Sequence, residues 1–317
     1  MNRRQFLTVS GLAILEWARA PARGPSEPII DIHQHVGYSG RPDDALLAHQ
    51  RRLGATTTIL LPAGRPVKQA STHDGVANGL EAKALGNDAC YRFAQAYRDR
   101  FAFAANEVPD IANATREIER YVKRGALLIG EQKFGVECDS QAMRRIYELA
   151  RAHRVPVLMH WQFQRFNYGF ERFDRILEKY PTVNFIGHAQ TWWGNIDKNH
   201  QDQTVLYPKG PVTRGGLTDR YLSDYANMYG DLSAGSGQNA LTRDEDFARD
   251  FITRHQDKLL YGSDCSDEDG AGEKCIGAET IRAIRRLSAD KQIERKLLYE
   301  NAKRLFRLRS AGRRAEL

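Results

Sequence analysis

Eight short runs of apolar or β-branched residues, most of them separated by a longer stretch of helical period, leave few architectures open to this chain. The runs fall at residues 28–33, 56–61, 101–106, 127–134, 155–160, 183–188, 228–232 and 259–264. Helical patterns occupy 112–123, 141–153, 170–180, 217–225, 244–255 and 278–287. Strand followed by helix, eight times over, predicts an α/β chain folded as a (β/α)8 TIM barrel. A doubly wound open sheet would alternate similarly, but it usually carries a glycine-rich phosphate turn after its first strand. Here that position reads Asp31-Ile32-His33-Gln34-His35. The 317 residues could hold two domains, yet a barrel of about 250 residues is commonly one. With no repeat of fixed period and no low-complexity linker, residues 23–317 read as a single barrel domain ending in a helix at about 290–308, expected to dock on the outside of the barrel with its basic face solvated.

Charge argues against a nucleic-acid partner. The formal net charge of +7 resides at the ends of the chain, with +2 in residues 1–22 and +5 in residues 302–317, so the body between them is neutral. A neutral body lacks the basic face that binds a phosphate backbone. The first residues read as an address. Asn2-Arg3-Arg4-Gln5-Phe6-Leu7, a weak apolar run to Leu15 and Ala20-Pro21-Ala22 resemble a twin-arginine signal peptide over 1–22. That implies handling by the twin-arginine export machinery and a periplasmic or extracellular location. The apolar run is far shorter than the roughly 20 residues that cross a bilayer, and no other segment is apolar enough to do so.

Cysteine usage adds one open question. Cys265 and Cys275 are ten residues apart on a single expected loop, and an oxidising compartment would permit a disulfide between them. Buried free thiols are the preferred reading. The chain has no C-x-x-C, so a thiolate zinc site of the usual spacing is not expected. The acidic run Asp264, Asp267, Glu268 and Asp269 lacks EF-hand spacing and reads as a solvated loop.

Barrel enzymes gather their chemistry at the C-terminal ends of the strands. The first run ends in His33-Gln34-His35, an H-x-H pair whose imidazoles share one side of an extended strand. The fifth ends in His160, the sixth in His188 and the eighth in Asp264, whereas the other five of nine histidines fall on helices or loops. Neutral imidazoles with a carboxylate are ligands for Zn²⁺ and related ions. One such residue at a strand end means little. Five together predict a metal site.

These motifs resemble the amidohydrolase superfamily, in particular the amidohydrolase-related group that includes aminocarboxymuconate semialdehyde decarboxylase. The resemblance runs from Ile29 to about Leu308. It rests on Ile30-Asp31-Ile32-His33-Gln34-His35, on Asn184-Phe185-Ile186-Gly187-His188, on Leu259-Leu260-Tyr261-Gly262-Ser263-Asp264 and on the closing stretch Leu297 to Phe306. It implies a divalent ion, Zn²⁺ first, held by His33, His35, His160 and Asp264. His188 and Asp264 would then be the catalytic residues that handle protons on a metal-activated water.

The fourth run leaves the ion count open. Glu131 and Lys133 lie on one face there, and either could bridge a second ion that His160 and His188 would help to bind. Alternatively, Lys133 pairs with Glu131 or binds a substrate carboxylate. One ion is the preferred reading. Gln34, Arg65, Trp161, Gln162, Trp192 and Trp193 are the expected substrate surface, and residues 190–216, the longest irregular stretch, an expected lid or wall. The expected activity is hydrolysis of a lactone, ester or amide in a small polar or cyclic molecule. Non-oxidative decarboxylation of an unsaturated or aromatic acid is the alternative. A barrel that binds metal or ligand without turnover is the reading from another class, and a homodimer is left open.

Overall fold

Each apolar run becomes a short parallel strand, because a chain segment covered on both faces needs side chains that bury on both. The computed structural model describes residues 27–73, 77 and 84–308. The expected signal peptide, residues 1–22, lies outside the described residues. Among those described, the strands are β1 (Ile29–Gln34), β2 (Ala55–Leu60), β3 (Phe101–Phe103), β4 (Ile129–Gln132), β5 (Val157–His160), β6 (Phe185–His188), β7 (Met228–Asp231) and β8 (Leu259–Leu260). The helices between them are α1 (Asp43–Leu53), α2 (Asn87–Ala96), α3 (Ala114–Val122), α4 (Gln141–His153), α5 (Asp174–Lys179), α6 (Gln190–Gly194), α7 (Leu217–Asp224), α8 (Ala234–Thr242), α9 (Glu245–Arg254) and α10 (Ile276–Leu287). No helix among the described residues is long and apolar enough to cross a membrane.

The strands pair in sequence order as β1-β2-β3 and β4-β5-β6-β7-β8. Residues Ala105 and Ile129 bridge the two groups. The ring closes where Ile32 N–H donates to Tyr261 O (3.1 Å) and Asp264 N–H to His33 O (2.8 Å). The architecture is the TIM barrel expected from the alternation.

The barrel interior has an apolar floor and a polar top. Ile30, Ile32, Ile59, Leu61, Ala104, Leu128, Leu158, Ile186 and Leu260 form the floor, all buried. On β5 and β6 the period-two alternation carries the inward face from Leu158 to His160 and from Ile186 to His188. On β1 the pairing register shifts between Asp31 and Gln34. Such irregularities re-aim side chains, and above the shift the inward face passes from Ile32 to the H-x-H pair.

Two expectations need correction. The closing helix, which runs as α11 (Lys291–Arg295), a π turn (Lys296–Glu300) and α12 (Asn301–Leu305), does more than dock on the outside. Its Ala302 and Phe306 join the interior cluster and cap the barrel from below, while Asn301 Nδ2 donates to Gln256 O and Leu259 O (2.7 and 2.9 Å). Nor is 190–216 irregular throughout. It starts as α6, and it packs Trp192 and Trp193 inward at 0% and 2% exposure.

Trp192 occupies the space that Gly187 of β6 leaves empty: a Cβ at 187 would sit 2.4 Å from the indole. We expect Gly187→Ala to push Trp192 out of place and cost about 1–3 kcal/mol of stability by overpacking. Urea unfolding measures this, and an unchanged midpoint would contradict the packing described.

Candidate metal centre

Residues at the ends of β1, β4 and β6 and in the loop after β8 meet at the barrel mouth. His33 Nε2 lies 3.5 Å from Glu131 Oε2 and 3.7 Å from Asp264 Oδ1, and His35 Nε2 lies 3.8 and 3.4 Å from the same two atoms. His188 Nε2 stands 3.6 Å from Asp264 Oδ2 and 3.9 Å from Glu131 Oε1. His33 Nε2, His35 Nε2, Glu131 Oε2 and Asp264 Oδ1 are all buried without a hydrogen-bond partner. Buried polar atoms are rarely left so. Four of them facing one another at these separations fit a divalent cation. The backbone agrees, since Asp264 is held at φ 43°, left-handed for a residue with a Cβ. Such conformations cost about 1–3 kcal/mol and cluster at functional sites.

Hydrogen bonds behind the ring fix which nitrogen faces inward. His33 Nδ1–H donates to Asp231 Oδ2 (2.7 Å) and His35 Nδ1–H to Leu61 O (2.8 Å), which leaves both Nε2 lone pairs for an ion. The Ser233 hydroxyl donates to Asp231 Oδ2 (2.9 Å) and therefore accepts from His188 Nδ1–H (3.1 Å). His188 Nε2 is thus an unprotonated base turned toward the ring.

Electrostatics give the same answer. Burial raises the Glu131 carboxyl, yet His160 and Lys133 outweigh it and hold Glu131 well below the usual range. Burial likewise opposes ionisation of Asp264, and His33 and His35 overcome it. Burial lowers His33, but the charges of Asp264 and Asp231 push it well above its ordinary value. A cation in the ring would take over the compensation that a proton on His33 provides. Burial and then Lys133 push His160 down to about 3, and burial with the neighbouring His33 lowers His188. Both imidazoles are neutral at pH 7.

The expected site residues are not all in this ring. His33, His35 and Asp264 are, joined by Glu131, whose role the sequence left open. His160 stands behind Glu131: its Nδ1 contacts Glu131 Oε1 at 2.5 Å, while its Nε2 faces Gln162 Oε1 at 3.4 Å. The Lys133 ammonium lies 5.4 Å from the centre of the Phe166 ring.

The expected substrate surface divides further. Gln162 borders a cavity of about 380 Å³ together with Phe163, Asn167, Tyr168, Thr191 and Leu217. The ring residues do not line this cavity, and Gln162 is its link to them through His160. Trp161, Trp192 and Trp193 are core residues, with Trp161 packed on Phe170 and Phe173. Gln34 is buried and tied to Ser263, Cys265 and Arg41. Arg65 pairs with the buried Glu107 at 2.7 Å. Asp231, Ser233 and Tyr38, whose ring meets His35 edge-on at 4.7 Å, escaped the sequence reading. Asp231 ends its strand just as His188 does, so the same rule could have found it.

The amidohydrolase family model matches residues 30–308. The chain belongs to the amidohydrolase family. The family is divalent-metal dependent, and two groups of side chains that could hold an ion, His33–Glu131–His188 and His33–His35–Asp264, lie at the mouth of this barrel. No curated protein sequence matches this amidohydrolase significantly. Solved structures do match. A probable 2-pyrone-4,6-dicarboxylic acid hydrolase from Acinetobacter baumannii is 14% identical, with a TM-score of 0.57 over 88% of this chain and 99% of that one. The 2,6-dihydroxybenzoate decarboxylase from Rhizobium is 15% identical, with a TM-score of 0.57 over 89% and 99%. The 5-carboxyvanillate decarboxylase from Novosphingobium aromaticivorans, solved with manganese, is 18% identical, with a TM-score of 0.52 over 83% and 79%. At these identities the likeness establishes the fold they share.

Asp231 touches no ion in this arrangement but orients His33. We expect Asp231→Asn to weaken metal affinity about 10–100-fold, as loss of an outer-shell partner typically does, in a chelator competition assay. Unaltered affinity would mean that His33 is not a ligand.

Proposed function

We propose that this amidohydrolase cleaves a carbonyl-centred bond (a lactone, ester or amide) in a small polar or cyclic molecule, using one divalent ion held by His33, His35, Glu131 and Asp264. The observation that carries the reading is the ring of four unpartnered buried donor atoms with the His188 base beside it. Two imidazoles with two carboxylates suit Zn²⁺, the first expectation, and Mn²⁺ as well. When bound, such an ion polarises a carbonyl and makes water a nucleophile at neutral pH.

The remaining roles belong to side chains. His188 Nε2 accepts the proton released as water attacks, and the Ser233–Asp231 pair behind Nδ1 stabilises the imidazolium that results. Asp264, held ionised, is the second proton acceptor at the same spot. Lys133, close enough to lower Glu131, offers a cation to a substrate carboxylate or developing oxyanion. The cavity next to Gln162 suits the body of a small ring.

Non-oxidative decarboxylation is the second reading, favoured by the decarboxylases that share this fold. There Lys133 would hold a spectator anion, and His188 Nε2 would first take a proton from water in the site and then pass it to the carbon that loses CO₂, the hydroxide left behind combining with CO₂ as bicarbonate. We also place the enzyme outside the cytoplasm, on the strength of the Arg3-Arg4 signal alone.

Metal-loaded protein incubated with lactones, esters, amides and aromatic acids should show base uptake without CO₂. CO₂ release instead favours the second reading, and no turnover on any member contradicts both. On a substrate found this way, His188→Asn should lower kcat by about 10²–10⁴-fold, the range for loss of a general base. The pH profile should be flat near neutrality and fall on the acid side with an apparent pKa below 6.5, because protonating His188 removes the base and its folded-state pKa is depressed. An acid limb above that value would assign the base elsewhere.

A further inference from the structure

A second cluster of metal-binding side chains lies beside the barrel mouth, where the loop after β8 meets α1. His49 of α1 is fully buried, and Cys265 and Cys275 are 5% and 0% exposed. The two Sγ atoms are 3.8 Å apart, and both cysteines are free thiols. His49 Nε2 lies 3.2 Å from Cys265 Sγ, 3.5 Å from Cys275 Sγ and 3.3 Å from Asp267 Oδ2. One donor atom from each of the four residues fits within 4.8 Å of all the others.

These separations are those of a tetrahedron around zinc. With Zn–S near 2.3 Å and Zn–N and Zn–O near 2.0–2.1 Å, tetrahedral edges come to about 3.8 Å between sulfurs, about 3.5 Å from sulfur to nitrogen and about 3.3 Å from nitrogen to oxygen. We propose that His49, Cys265, Asp267 and Cys275 form a structural zinc site, separate from the ring at the barrel mouth, that fastens α1 to the loop carrying Asp264.

The surroundings hold each donor in place. Asp267 Oδ1 accepts from Asp269 N–H and Gly270 N–H (3.1 and 2.8 Å), which leaves Oδ2 directed at His49. Cys275 caps α10, and its sulfur accepts from Ala278 N–H at 3.4 Å, an arrangement that favours a thiolate. Arg41, also buried, donates to Cys265 O and Asp267 O (3.0 and 2.8 Å) and places a cation beside a ligand set whose negative charge exceeds that of zinc. Gly270 presses on α1 so closely that a Cβ there would be 2.3 Å from His49 O. Spacing rules miss the site because His49 lies 216 residues before Cys265.

Cobalt substitution tests the site on the full-length, reduced protein, because sulfur ligation gives a thiolate-to-cobalt charge-transfer band that the sulfur-free ring at the mouth cannot produce. The band should appear in the wild type, persist in His33→Asn and vanish in Cys275→Ser. Elemental analysis should show Cys275→Ser losing one zinc equivalent per chain. His49→Gln is the second variant, should Cys275→Ser fail to fold without its cap, and should lose the same equivalent. A folded, cobalt-loaded wild type without the band overturns the proposal. It would leave a metal-free cluster in which the Gln50 amide donates to His49 Nδ1 (3.4 Å) and Nε2–H turns to Asp267. A Cys265–Cys275 disulfide in zinc-free protein as isolated, seen by intact mass before and after reduction, overturns it too.

Discussion

Carboxylates buried against imidazoles at the top of an apolar barrel are the constraint on which the rest of this structure depends. Glu131, Asp231 and Asp264 lie within a few ångströms of His33, over a floor of isoleucine, leucine and alanine. In such a medium an uncompensated anion is costly, and removing one partner of a buried charge pair typically costs about 3–5 kcal/mol. The fold answers that cost with geometry. Backbone and side-chain acceptors behind the ring hold the Nδ1 atoms of His33, His35 and His188, so their Nε2 atoms face one small volume. A positive ion completes that arrangement, and the strain at Asp264 is the backbone's contribution to it.

The same constraint explains why His160 and Glu131 belong together. Each has a role only if the other is placed as it is: the imidazole, neutral through burial and Lys133, supports the carboxylate from behind while the carboxylate turns its second oxygen into the ring. His188 is the imidazole whose inner nitrogen flanks the ring without closing it. In the proposed hydrolysis, that asymmetry between two strand-end histidines gives His160 the supporting part and His188 the proton transfer.

Much of this was legible in the sequence because the barrel imposes a simple rule. A strand whose inner face is apolar at the floor changes to a polar residue at its C-terminal end. Runs closing in His33-Gln34-His35, His188 and Asp264 therefore announced the fold and marked out the candidate site. Glu131 was visible but ambiguous, since an acid and a lysine two residues apart allow several roles. Asp231 obeyed the rule and was passed over. Bulky aromatics followed no such rule. Trp161, Trp192 and Trp193 suit a mouth or a core equally by composition; the space beside Gly187 and the helix beginning at Gln190 send Trp192 and Trp193 to the core, and packing on Phe170 and Phe173 sends Trp161 there. The His49–Cys265–Asp267–Cys275 cluster was the least legible, because two of its members looked like an isolated thiol pair, one like a solvated acid and one like an ordinary helix residue. Tertiary closure of the β8 loop over α1 brings them together, and no local pattern encodes that.

The measurement that bears most directly on the central claim is anomalous diffraction at the metal absorption edges from crystals of the metal-loaded protein. The account predicts one anomalous peak at the barrel mouth, within bonding distance of His33 Nε2, His35 Nε2, Glu131 and Asp264, with His160 behind Glu131. A peak coordinated by His160 without Glu131, or no peak at the mouth while these atoms turn to one another, would contradict it.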